Sequence, residues 1–148
     1  MGLQDRSGSD PGAEPHGPVA LIGSAHEWSG RALASLLQAK GYAVLLAHTG
    51  AATRDQARAK RPDVILLDTS LSDMDDLELY RLLRNDPLIA PRTAIIAVSA
   101  EPTNSDKRRA ALEAGASEVL NTPLLVDEVY RALDAWIGVP PVADERPD

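Results

Sequence analysis

Five times between Pro18 and Ile137, an apolar run of strand length is followed, after a short connection, by an amphipathic stretch of helix length. No other feature of the chain restricts its fold so strongly. Strands that alternate with helices lie parallel, joined by right-handed crossovers that place helices on both faces of one sheet. The predicted strands are Pro18–Gly23, Tyr42–Ala47, Asp63–Asp68, Thr93–Ser99 and Ser117–Leu120. The predicted helices are Trp28–Lys40, Ala51–Lys60, Asp76–Asn85, Ser105–Ala114 and Val126–Ile137. Gly41 and Gly115 stop the first and fourth helices, and Arg61-Pro62 ends the second. For five such units the flavodoxin-like α/β order 2-1-3-4-5 is the natural doubly wound solution.

Within that frame Asp68 is the residue that points to function. It closes the run Val64-Ile65-Leu66-Leu67-Asp68. An apolar run without alternation describes a strand covered on both faces. In open parallel sheets, ligands and chemistry gather outside the carboxyl ends of the strands, at the point where the strand order reverses. The loops after Gly23 and Asp68 should therefore face each other there.

The ends of the chain differ from this body. Residues 1–17 and 138–148 are rich in Gly, Pro and charge and poor in large apolar side chains, so they read as disordered tails around a domain at 18–137. The formal net charge is −7, of which each tail carries −2. That balance argues against a nucleic-acid surface, which needs a basic stripe. The one basic cluster, Lys107-Arg108-Arg109, reads as a solvated helix face. No signal peptide, no apolar run of membrane-span length and no cysteine occur, so the sequence reads as cytoplasmic, without disulfides or thiolate chemistry.

Several segments in order and spacing resemble the receiver domains of two-component response regulators. They are Leu36-Leu37-Gln38-Ala39-Lys40-Gly41-Tyr42, Pro62 to Asp68, Met74-Asp75-Asp76-Leu77-Glu78-Leu79, Ala97-Val98-Ser99-Ala100, Ala111 to Ala116, and Thr122-Pro123. The likeness covers about Pro18 to Ile137 and implies the CheY-like form of the fold. It makes Asp68 the phosphoacceptor candidate and Ser99 the switch hydroxyl. It also suggests a cis peptide at Thr122-Pro123, which the sequence leaves open. The family's chemistry is transfer of a phosphoryl group from a histidine kinase to the aspartate, assisted by Mg²⁺.

The sequence departs from that pattern where the cation and the added charge would be held. The acidic pair of the family falls on Ser24 and Ala25, the lysine on Thr122, and the aromatic that rearranges on activation on Val119. Ser72 and Asp76 stand where the family's loop has Pro and Gly. A divalent cation would lose two charged ligands and should bind weakly. A phosphoryl group would lose its fixed counter-charge. Glu27 and Asp73 are the substitute ligands within reach in sequence, although each reads more simply as a solvated loop acid. His26 lacks the partner spacing of a metal ligand, and Asp75-Asp76 reads as a helix cap.

The resulting expectation is an atypical receiver, not an enzyme, with no resident cofactor and with weak or absent Mg²⁺-dependent phosphorylation. It would act by contact with a signalling protein, such as a histidine kinase or regulatory protein, or with a second copy of itself. No output domain follows Ile137 in the sequence, which suggests a stand-alone module. The resemblance places the contact face on the last two helices and fifth strand, with Arg108, Arg109, Glu118 and Arg131. Two other readings remain. Asp68 could still be a working phosphoacceptor, or the loop Gly23 to Gly30 could serve a small ligand in the manner of a flavin domain. Glu27 would repel phosphate in the latter case.

Overall fold

The computed structural model describes residues 17–68, 71, 73–99 and 104–138. Among them, five strands alternate with five helices: β1 (Val19–Gly23), α1 (Glu27–Ala39), β2 (Ala43–Ala47), α2 (Gly50–Lys60), β3 (Val64–Asp68), α3 (Asp76–Asn85), β4 (Ala94–Ser99), α4 (Ser105–Ala114), β5 (Glu118–Asn121) and α5 (Val126–Ile137). The strands are all parallel, in the order β2-β1-β3-β4-β5. This is the flavodoxin-like order expected from the alternation. The proposed tails lie outside the described residues except for Gly17 and Gly138, as do Ser72 and Ala100.

Successive residues of each strand serve opposite layers, as the period of two requires. Leu21, Ile65, Leu67, Ile95, Ala97 and Val119 join Leu79, Tyr80, Leu83 and Ala111 in the layer covered by α2, α3 and α4. Ala20, Ile22, Val64, Leu66, Ile96 and Leu120 join Leu33, Leu37, Val129 and Leu133 beneath α1 and α5. Ile65, Ile95 and Ile96 are completely buried. Both faces being covered explains why these strands lack an apolar–polar alternation.

The fifth strand starts one residue later than its apolar pattern suggests. Ser117 Oγ accepts from Ile95 N at 3.0 Å, while Ser117 N donates to Ile95 O at 2.6 Å. The serine side chain thus stands in for the first ladder bond. Beside it, Arg84 at the end of α3 spans the base of the sheet. Its guanidinium donates to Gly115 O at 2.8 Å, Thr93 O at 2.8 Å and Pro91 O at 2.9 Å. Gly115 has φ +130°, and a Cβ there would stand 2.8 Å from Arg84 Cβ. Only glycine admits both the turn and the close approach of α3.

Candidate functional site

β1 lies between β2 and β3, so the crossovers leave it in opposite directions and open a crevice at the carboxyl ends of β1 and β3. Ser24 and Asp68 meet there. The Ser24 hydroxyl donates to Asp68 Oδ2 at 2.9 Å, and Ser24 is almost fully buried. Its Oγ also accepts from His26 N at 3.2 Å, and its backbone N–H donates to Ala47 O at 2.9 Å. His48 Nδ1 lies 3.1 Å from Ser24 O. Gly23 is obligatory just before it, because an added Cβ would stand 2.5 Å from Thr53 Oγ1 on α2.

Asp68 opens onto a cleft of about 910 Å³, lined on its polar side also by Asp75, Asp76, Ser99, Lys107 and Thr122. Asp75 is the N-cap of α3, its Oδ2 accepting from Leu77 N at 3.1 Å and Glu78 N at 3.3 Å. Asp76 lines the cleft without capping the helix, and there partial burial, and then the charges of Asp75 and Asp68, push its carboxyl up to about 6. The sequence alone suggests a cap for both acids. Lys107, read from sequence as part of a solvated face, is exposed but lines the same cleft.

The two substitute acids are engaged elsewhere. Glu27 pairs with Arg31 at 2.6 Å along α1. Asp73 accepts from Gly50 N at 2.7 Å and Ala51 N at 3.0 Å, at the start of α2. These amide bonds hold its carboxyl below the usual carboxylate value. Ser99 is half-buried at the end of β4 and lines the cleft with Asp68. Thr122 N donates to Ser99 O at 2.9 Å, and Thr122-Pro123 is cis. Val119 is buried among the residues that pack under α3 and α4.

On the far side, Glu118 accepts from Arg131 at 2.7 Å and from Trp136 Nε1 at 2.8 Å. Burial alone would raise its carboxyl, yet these two donors together with the charges of Arg131 and Arg108 outweigh it and the net shift is downward. Arg108 reaches Val119 O at 3.3 Å, and Arg109 is exposed.

The family of response regulator receiver domains matches residues 24–134. The chain belongs to that family. Among curated relatives, it is 39% identical over 107 residues to the transcriptional regulatory protein KdpE of Mycobacterium tuberculosis, covering 72% of this chain and 45% of that protein. It is 34% identical over 101 residues to the response regulator MprA of Mycobacterium avium, covering 68% of this chain and 42% of the relative. The chain thus spans less than half the length of the curated relatives it matches. Among solved structures, it superposes with a TM-score of 0.73 on the receiver domain of the sensor histidine kinase PA1611 from Pseudomonas aeruginosa, a structure with magnesium coordinated in its active-site cleft. That match has 30% identity and covers 82% of this chain and 98% of the other. The chemotaxis response regulator CheY4 of Vibrio cholerae gives a TM-score of 0.74 at 22% identity, covering 81% and 98%, and supports the fold alone.

Receiver domains are signalling domains that interact with histidine kinases or other signalling proteins. Mg²⁺ takes a near-octahedral shell of carboxylate oxygens and waters. At the positions that the resemblance gives to the acidic pair, the chain has the Ser24 hydroxyl, which donates to Asp68, and an alanine side chain with no donor atom. That donor set does not match what the ion takes. Among the described residues, no group of three or more His, Cys, Asp and Glu side chains is placed to hold a metal. No described helix is long and apolar enough to cross a membrane.

Proposed function

We propose that this receiver works by contact with a partner protein, with Mg²⁺-dependent phosphorylation of Asp68 weak or absent. The observation that carries the reading is the Ser24 hydroxyl at 2.9 Å from Asp68 Oδ2, in the place where a metal-binding acid would sit. Cation neutralisation contributes several kcal/mol to phosphoryl transfer, and a cation beside Asp68 would lack the two charged ligands that Ser24 and Ala25 replace. Thr122 bonds to Ser99 O through its backbone N–H, and its short side chain brings no positive charge to the cleft. The contact face is the surface of α4, β5 and α5, where Arg108, Arg109 and the Glu118–Arg131 pair lie beside the half-exposed Leu112 and Trp136. Such a mixed charged and apolar surface suits a histidine kinase, another signalling protein or a second receiver.

A second reading is favoured by one arrangement. Asp68 and Ser99 stand at the ends of adjacent strands and line the same cleft, as an acceptor and its hydroxyl reader would. Intact-mass spectrometry after incubation with acetyl phosphate, with and without Mg²⁺ and beside an ordinary receiver, separates the two. The first reading expects no added mass. A phosphoryl adduct that needs Mg²⁺ and is absent from Asp68→Asn would replace it with the conventional switch.

A further inference from the structure

Ser24 does more than fail to bind a cation. Its backbone is held from the β2 side by Ala47 O at 2.9 Å and by His48 Nδ1 at 3.1 Å. Its Oγ is held by the N–H of His26, the residue just before α1, at 3.2 Å. The single hydroxyl proton has two acceptors in reach, Asp68 Oδ2 at 2.9 Å and His26 O at 3.1 Å. The carboxylate is the nearer, and an ionised acceptor makes the stronger bond. Ser24 is 1% exposed, so little water competes for that proton.

We propose that Ser24 is a positioning residue that takes over the cation's place: its hydroxyl holds the Asp68 carboxylate in one orientation and joins the ends of β1 and β3 without a metal. The inference deepens the partner-contact reading and rests on it, because a site set by a built-in donor presents the same surface whatever the cation concentration. The serine also competes with any cation for Asp68 Oδ2. A residue that had merely lost its carboxylate would do neither.

The deciding experiment is a double-mutant cycle on the full chain in the absence of divalent cations, using Ser24→Ala, Asp68→Ala and the double variant. The expected result is non-additivity, with the double variant's melting midpoint falling by clearly less than the sum of the single losses. Additive losses would overturn the proposal. Where Asp68→Ala does not fold, calorimetric titration of Ser24→Ala with Mg²⁺ decides instead. Releasing Asp68 from a hydrogen bond should tighten Mg²⁺ about two- to fivefold over the wild type, and an unchanged or weaker affinity would overturn the proposal. Phosphoryl uptake by the wild type would defeat the partner-contact reading while leaving the cycle interpretable, and additivity would defeat the role of Ser24 alone.

Discussion

At the amino end of the sheet, Asp86 is buried between Arg54 and Arg58, at 3.3 and 3.1 Å, and accepts from Leu88 N at 2.9 Å. At the carboxyl end, Asp68, Asp75 and Asp76 share one cleft, and Asp76 is held near 6 by burial and by its neighbours. The Leu88 amide, joined by the two guanidinium groups, holds the Asp86 carboxyl below its usual value. One end therefore matches its charge and ties α2 to the α3–β4 turn. The other crowds three carboxylates into one cleft with Lys107, and perturbed groups of this kind are common at functional sites.

The largest test of the contrast is at the amino end. Arg84→Ala would strip donors from the Gly115, Thr93 and Pro91 carbonyls, and should cost about 2–3 kcal/mol in urea unfolding. A loss under about 0.5 kcal/mol would show that water replaces the guanidinium. Asp86→Asn comes next. A depressed carboxyl stabilises the fold above its unfolded value of 3.8 and loses that contribution as pH falls through the lower folded value. The variant should melt several degrees below the wild type near neutral pH, with the gap closing in strong acid. A gap that persists there would assign the loss to packing.

Asp76 has the opposite sign. Its folded value of about 6 exceeds the unfolded 3.8, so the proton stabilises the fold at low pH and that contribution is lost as pH rises between the two. Asp76→Asn should match the wild type near pH 4 and be more stable above pH 6, by up to about 1 kcal/mol because solvent screens this half-exposed group. Equal melting midpoints across the whole range would remove the crowding from the comparison. The smallest effect belongs to Glu118→Gln on the partner face, where Arg131 is largely exposed. Its cost to folding should stay under about 0.5 kcal/mol by chemical denaturation, and a larger one would make Glu118 a structural rather than a surface residue.

Much of the fold was legible because each central strand is an unbroken apolar run, and only a sheet covered on both faces accommodates Val64 to Leu67 without alternation. The position of Asp68 followed from the same run. The missing acids at Ser24 and Ala25 could be counted from Gly41. What Ser24 does instead could not, because a hydroxyl in a loop has many candidate acceptors and only the meeting of β1 with β3 selects Asp68. Asp75 and Asp76 were inseparable in sequence for a related reason. Both acids suit a helix N-terminus, and only the direction in which α3 enters the cleft they share makes Asp75 the cap and leaves Asp76 out of it. The substitution of Asp76 for the family's glycine was the available signal. Lys107 gave less, since a first-turn lysine inside a basic triplet looks the same whether it faces solvent or cleft.

Ser117 bears on how the molecule avoids an error. β5 is an edge strand of four residues, with little ladder of its own to define where along β4 it sits. A slip of one residue would send Val119 toward α1 and α5, send Leu120 toward α3 and α4, and turn Glu118 and Asn121 the wrong way. Ser117 grips both the N–H and the C=O of Ile95 immediately before the strand begins. That two-pronged grip works as an index mark: it fixes the alignment from a residue outside the strand, and it holds the shortest strand of the sheet in a single frame.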